Sequence, residues 1–419
     1  MGSLMSAVAG LGQDVSLSGL GNVGEASIHV SIGDEAFTVT ITDGRLSIGA
    51  DTTVDTAVEG QWDFSYALDA ATWSTFCSNP PPRGYTSAQS IVATLGGSVV
   101  SGDRVKWAAY ATVLDRVIEA LRARIVGARP APHENPRADG AISPIVGGYT
   151  TLQIAGKSQR IYFESAGVGP VLLCLHTAGA DSRQFRYLLE DAALTAQYRV
   201  VAFDLPWHGR SDPAQDWATA TYQLDTETYA ETILAVMDAL DLDAPILMGC
   251  SMGGAIALYM ASLHGERFSG VLALEGGLGN PGRFVPWTNQ IGVDHAQFLT
   301  SWVGGLMAPS SPSGPRELTL WGYAQSGPGV YQGDTFFYSN DLPKYAEALT
   351  LATCPLWVFS GEYDYSATTE MSRAAAEKLG GQLVVMTGCG HFPMSEDPMA
   401  FRSYLLPVLE ELAALQPVG

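Results

Sequence analysis

The stretch ILMGCSMGGAIALYM, residues 246–260, sets one serine between an apolar run and an alanine-rich segment of helical character. Glycine stands on both sides of Ser251, so the chain can turn sharply there, and the residue at the apex is pushed away from the backbone. Other short apolar runs surround this one from about residue 148 onward: VLLCLHT, YRVVAFDL, GVLALEG, PLWVFSGE and LVVMTG. Each is followed by a loop and a helical pattern, which implies a mostly parallel sheet covered on both faces. YTTLQIA and RIYFESA precede them as a hairpin. Between Glu275 and Pro355 the alternation lapses, and a segment rich in Trp and Tyr reads as an inserted lid at about 276–350.

The N-terminal part obeys a different rhythm. ASIHVSI, AFTVTIT, RLSIGA and DFSYALD alternate apolar with polar residues, and Thr42-Asp43-Gly44 is a hairpin signal. WAAYATVLDRVIEALR, residues 107–122, spaces Leu114, Val117, Ile118 and Leu121 as one face of an amphipathic helix. Residues 1–125 therefore read as a small α+β domain, 126–147 as a Pro- and Gly-rich linker, and 148–419 as the larger domain. Two domains also suit 419 residues, 47% of them hydrophobic. The formal charge of −21 disfavours nucleic acid and anionic membranes as partners. Five cysteines without a CxxC pair argue against a zinc site or a disulfide framework and suit a reducing cytoplasm. The first residues lack the basic and apolar segments of a secretion signal, and no apolar run reaches membrane-spanning length.

The chemistry starts from Ser251, because ligands of a parallel sheet bind outside the carboxyl ends of its strands. Gly249-x-Ser251-x-Gly253 between a strand and a helix matches a nucleophile elbow; the alternative role is a helix N-cap. A serine hydroxyl needs a base to take its proton. His391, in the glycine-flanked loop after LVVM, can reach back across the sheet, whereas His295 lies in the expected lid. Asp364, after PLWVFSGEY, is the favoured acid to hold that imidazole, with Glu275 and Glu362 as competitors. An oxyanion hole would take the N–H of Met252 and one N–H from the loop His176-Thr177-Ala178-Gly179, with Ala178 preferred and Thr177 next. His176 reads as a packing residue of that loop. Phe392, Thr177, Trp207, Trp287 and Met252 are candidates for lining the substrate pocket; the aromatic ones could equally be core.

Residues 148–419 resemble a serine hydrolase of the α/β-hydrolase family, with DLPWHGRSD (204–212) and GHFPMSEDP (390–398) as further matching segments. The resemblance implies that fold, with helices on both faces and an inserted lid, and a Ser251–His391–Asp364 triad that needs no metal or organic cofactor. His176-Thr177 departs from the His-Gly usual in the family. GCSMGG is also similar to the elbow of the branch that cleaves carbon–carbon bonds, although the loop after the third strand does not match that branch. Serine at position 251 excludes the dehalogenase and epoxide hydrolase branches, which need aspartate. The expected substrate is an ester of a hydrophobic small molecule; a lactone or amide, a diketone cleaved at carbon–carbon, and peroxide-dependent perhydrolysis are the alternatives, and a catalytically silent binding protein is the reading from another class. Residues 25–122 resemble a sterol carrier protein domain, which implies a lipid-enclosing fold. The plainer reading of that domain is docking, or pairing into a homodimer. Gly19-Leu20-Gly21-Asn22-Val23-Gly24 fits GxGxxG, but the strand-like EASIHVSI follows it where a dinucleotide site needs a helix.

Overall fold

Alternating sequence becomes sheet in the N-terminal part of the chain. The computed structural model describes residues 4–11, 14, 17, 24–51, 62–128, 143–284, 290 and 292–415. Strands β1 (Ala26–Ile32), β2 (Glu35–Thr42), β3 (Arg45–Asp51), β4 (Phe64–Leu68) and β5 (Val100–Gly102) form one sheet in the order β3-β2-β1-β4-β5. β1, β2 and β3 run antiparallel in sequence, while β4 lies parallel to β1. The turn between β2 and β3 places Asp43 and Gly44 at φ of 49° and 71°, the left-handed pair that a two-residue hairpin favours. The helix expected over 107–122 is divided into Arg104–Ala109 and Ala111–Val126, because Tyr110 leaves helical geometry at φ −111° and ψ 14°. Leu114, Val117, Ile118 and Leu121 are buried in the core together with Ile28, Val30, Phe37 and Tyr66, as their spacing requires.

By compactness the chain divides into Met1–Pro132 with Trp287–Ser310, and His133–Pro286 with Ser311–Gly419. Part of the segment read as a lid thus clusters with the N-terminal unit. Its helix His295–Gly304 is tied there by the Thr112 hydroxyl, which donates to the Gln297 carbonyl at 2.6 Å, and by the Thr86 hydroxyl, which donates to Gly305 at 2.6 Å. Ser301 donates to the Asp115 carboxylate, and Trp302 packs on the core. Helical period alone cannot say which sheet a helix will cover, so the sequence reading kept this segment with its neighbours. The linker reading falls mostly on 129–142, and the GxGxxG stretch on 19–23, both outside the described residues.

The larger unit carries β6 (Val146–Ile154), β7 (Lys157–Ala166), β8 (Val171–Leu175), β9 (Arg199–Phe203), β10 (Ile246–Cys250), β11 (Gly270–Leu274), β12 (Leu356–Gly361) and β13 (Gln382–Met386), in the sheet order β13-β12-β11-β10-β8-β9-β7-β6. β8 to β13 pair parallel; the hairpin β6–β7 joins β9 antiparallel at the other end. β10, β11 and β12 are buried at every residue, which explains why they read as unbroken apolar runs. Helix Met252–Leu263 is buried from Met252 to Ser262 and therefore shows no polar stripe. Between β11 and β12 the described residues form helices and turns, with no strand. No helix among the described residues is long and apolar enough to cross a membrane.

Candidate active site

Ser251 sits between β10 and helix Met252–Leu263 with φ 56° and ψ −112°. A non-glycine residue there carries on the order of 1–3 kcal/mol of strain and persists only where its surroundings over-determine it. Here its N–H donates to Leu274 of β11 at 2.8 Å, and its carbonyl accepts from Ala255 at 2.7 Å. A Cβ on Gly249 would stand 2.1 Å from the Gly253 carbonyl, and one on Gly253 would stand 2.4 Å from that of Leu175. Only glycine lets the strand end and the helix start approach so closely, and that approach is what lifts the hydroxyl out.

The loop after β13 brings His391 to it. His391 Nε2 lies 2.8 Å from Ser251 Oγ, and His391 Nδ1 lies 2.6 Å from Asp364 Oδ2. Asp364 is fully buried, and its other oxygen accepts from the N–H groups of Ser366 and Ala367 at 2.7 and 3.2 Å. A carboxylate so surrounded by donors can only accept, so Nδ1 carries the proton and Nε2 presents its lone pair to the serine. The histidine loop is itself held: Cys250 donates its thiol to the His391 carbonyl at 3.2 Å, and Gly390 N–H donates to the buried Glu396.

Glu275, at the end of β11, lies in the same buried cluster. Gly361 N–H donates to both its oxygens, at 2.7 and 2.9 Å. Burial first, and then the Asp364 carboxylate beside it, hold the Glu275 carboxyl well above the usual carboxylate range. Burial and the neighbouring carboxylate thus favour the neutral form of Glu275, while Asp364 is the acid that meets His391. Glu275, Asp364 and His391 offer ligand atoms within 4.8 Å of one another. Two of those three residues share the 2.6 Å His391–Asp364 hydrogen bond. Glu362 points elsewhere, accepting from Gly388 N–H at 2.9 Å in an exposed position.

The loop after β8 starts at Leu175, whose carbonyl lies against Gly253 of the serine turn. Thr177 N–H and its hydroxyl both donate to Gln184 Oε1 at 3.1 Å, and the hydroxyl also meets Tyr323. Gly179 N–H donates to Asp334 at 2.7 Å and Ala180 N–H to Thr177 at 3.1 Å. Among the described residues, Ala178 N–H is the one in Thr177–Ala180 without an acceptor. Met252 opens its helix, where N–H groups have no carbonyl within the helix. Leu205 N–H donates to His176 Nε2 at 3.2 Å, which leaves Nδ1 to donate to Thr177 at 2.9 Å. Burial, and next the neighbouring His208, push His176 down to about 4, so it stays neutral as a loop anchor. A small cleft opens beside Ser251 and His391, lined also by Met252, Gly279, Asn280, Tyr338 and Met371.

The sequence profile of the Alpha/beta hydrolase family matches residues 172–403. The chain belongs to the alpha/beta hydrolase family. Over 129 residues it is 37% identical to the dihydrolipoyllysine-residue acetyltransferase component of the acetoin cleaving system of Pseudomonas putida, covering 30% of this chain and 32% of that protein. Over 141 residues it is 30% identical to a 2-hydroxy-6-oxononadienedioate/2-hydroxy-6-oxononatrienedioate hydrolase of Paraburkholderia phymatum, covering 33% of this chain and 47% of that one. These matches span less than half the length of those relatives. Among solved structures, a thermophilic esterase from Thermogutta terrifontis aligns with a TM-score of 0.54 at 19% identity, covering 63% of this chain and 99% of that one. That likeness is one of fold.

Of the residues singled out from the sequence, this α/β-hydrolase brings Ser251, His391 and Asp364 into one hydrogen-bonded chain and sets Met252 in the cleft wall. Phe392 is buried between the His391 ring at 4.9 Å and the Tyr323 ring at 5.5 Å, and Thr177 is buried with its hydroxyl engaged. Trp207 stands at φ 74°, half-buried, 5.4 Å from the Tyr222 ring. None of these three lines the cleft. Trp287 lies outside the described residues. Sequence reasoning missed Glu396, Tyr338, Asn280 and Asp334. Glu396 stood inside a quoted segment; the other three come from the insertion, where no periodicity pointed inward.

Proposed function

We propose that this α/β-hydrolase cleaves a carboxylic ester of a hydrophobic small molecule through an acyl-enzyme on Ser251. The observation that carries the proposal is the continuous relay from Ser251 Oγ through His391 to a buried Asp364, opening on a cleft. Ser251 Oγ attacks the carbonyl carbon while His391 Nε2 takes its proton. The oxygen that becomes negative turns to the N–H groups of Met252 and Ala178, each worth on the order of a hundred- to a thousandfold in rate. The tetrahedral centre collapses, the carbon–oxygen bond to the alkoxide breaks, and His391 returns the proton to it. Water then repeats the sequence on the acyl-enzyme, with His391 as base, and releases the acid. Asp364 keeps the imidazole in one tautomer and balances its charge during both steps.

For the N-terminal unit we propose docking or pairing between copies, a role supported by a core filled with its own side chains. A reducing cytoplasm is part of the same reading, and the five cysteines stand as free thiols.

Hydrolysis of nitrophenyl esters of increasing chain length by wild type and Ser251→Ala tests the enzyme. Turnover is expected to vanish in the variant, and the best chain length reports the depth of the cleft. A folded wild type that takes a fluorophosphonate label at Ser251 yet cleaves no ester shifts the proposal to lactones, amides or 2-hydroxy-6-oxo acids such as the Paraburkholderia relative is named for. A wild type that does neither ends it.

A further inference from the structure

A second histidine–carboxylate pair lies behind the oxyanion loop. His208 Nε2 is 2.8 Å from Asp334 Oδ2, and His208 Nδ1 is 2.9 Å from the Pro206 carbonyl. Both partners are buried, His208 at 2% exposure and Asp334 at 0%. The carbonyl can only accept, so Nδ1 must carry a proton. The carboxylate receives the Gly179 N–H at 2.7 Å on the same oxygen and the Tyr222 hydroxyl at 2.9 Å on the other. With Nδ1 protonated, the Nε2–Oδ2 contact holds one further proton. The raised value of His208, set against its burial by the Asp334 carboxylate and its hydrogen bond, places that proton on the imidazole.

What this pair joins is informative. Asp334 belongs to helix Val330–Phe336, inside the long insertion between β11 and β12. His208 follows β9, and Gly179 is the neighbour of Ala178, whose N–H is the open donor of the loop. A carbonyl oxygen being attacked must meet that N–H within a few tenths of an ångström, and a shift of ~1 Å can cost ~100-fold in rate. Gly179 itself sits at φ 68° with the Tyr331 side chain against it: a Cβ there would stand 2.9 Å from the Tyr331 ring. The insertion helix thus holds the loop by one hydrogen bond and one packing contact.

We propose that His208 and Asp334 are positioning residues, a protonation-dependent clasp by which the insertion helix holds the oxyanion loop at Gly179 in its working shape. The inference rests on the reading of Ser251 as the nucleophile. The groups that face His208 are Asp334 from the insertion helix, Tyr222 from the segment before helix Thr226–Ala239, Asp204 from the end of β9, and His176 from the oxyanion loop. Asp181, beyond that loop, is paired with Arg183. His176 is neutral, so the net field on His208 is negative. Burial alone would lower the His208 value, but the Asp334 carboxylate and its hydrogen bond more than offset that and hold it above the ordinary range. The clasp is accordingly closed below that raised value and opens as pH rises through it.

The test uses the full-length chain with 4-nitrophenyl butyrate from pH 6 to pH 9.5, comparing wild type, His208→Gln, Asp334→Asn and Ser262→Ala. Ser262 donates a partly buried hydrogen bond to the Thr350 carbonyl at 2.9 Å and serves as the control for lost stability alone. Wild-type kcat is expected to fall on the alkaline side. His208→Gln and Asp334→Asn should lower kcat by about tenfold or more with KM within about threefold, and should lose that alkaline fall. Ser262→Ala should keep wild-type kcat and the wild-type profile. An alkaline fall that persists in either clasp variant, or kcat unchanged in both, overturns the inference. Where a clasp variant does not fold, a wild-type kcat that stays level to pH 9.5 overturns it by itself. Fluorophosphonate labelling separates the two ideas: a wild type that labels and turns over while the clasp variants match it removes the clasp alone, whereas a wild type that neither labels nor turns over removes the hydrolase reading and the clasp together.

Discussion

Two buried acids, Asp364 and Glu275, crowd one imidazole, and only Asp364 is hydrogen-bonded to it. Asp364 accepts from His391 and from two backbone N–H groups, while Glu275, next to it, is held in its neutral form. Asp364→Asn should therefore lower kcat by roughly 10⁴-fold, the cost of fixing the wrong tautomer. Glu275→Gln should keep kcat within about tenfold, because an amide can copy a protonated acid by accepting from Gly361 and donating to Asp364. Ester turnover by the two purified variants checks this, and a larger loss in Glu275→Gln than in Asp364→Asn would reverse the assignment of the acid. The sign for stability also follows. Protonated Glu275 favours the native state at low pH, and that contribution is lost as pH rises through its raised value, so the Gln variant should flatten this slope. Ser251, His391 and Asp364 were legible because each follows a strand end in a fixed order. Asp334 was not, since nothing local in YQGDTFF indicates that its carboxylate points at a glycine more than a hundred residues earlier.

Helix His295–Gly304 shows how an element can belong to a different unit from its sequence neighbours. Its tie to Ala111–Val126 includes the Ser301 hydroxyl on Asp115, while Gln89 N–H donates to the other oxygen of that carboxylate at 3.1 Å. Burial outweighs these bonds and pushes Asp115 up to about 7. The group is protonated first in the folded state, so its contribution to stability is full below the ordinary value of 3.8 and is lost as pH rises towards 7. Asp115→Asn is expected to remove that slope from the unfolding of the N-terminal unit between about pH 4 and pH 7. Denaturant titrations followed at several pH values measure it, and an unchanged slope in the variant would assign the pH dependence to other groups. The helix itself was legible as a lapse in strand pattern; its docking was not, because an amphipathic face fits any apolar surface of suitable shape.

At the scale of the molecule, a formal charge of −21 opposes self-association over a distance set by salt. If copies pair through the N-terminal unit, as proposed, raising ionic strength from ~0.01 M to ~0.15 M, which shortens screening from about 30 Å to about 8 Å, should increase the dimer fraction. Sedimentation velocity at the two salt concentrations reads this directly; a monomer at both would leave docking to a different partner as the role of that unit. The curated relatives align over less than half their length, and the family profile begins at residue 172, so neither speaks to the first sheet.

Sequence by itself determined the parallel sheet, the tight strand-to-helix turn at Ser251 and the order Ser251, Asp364, His391 at strand ends. These depend on short-range facts: strand burial leaves unbroken apolar runs, a tight turn demands glycine, and strand ends carry the reacting groups. Tertiary structure alone decided which of two adjacent acids meets His391, which N–H of the loop after β8 has no acceptor among the described residues, which unit receives helix His295–Gly304, and that His208 meets Asp334. Each of those depends on burial and on partners distant along the chain, and desolvation energy has no signature in local spacing.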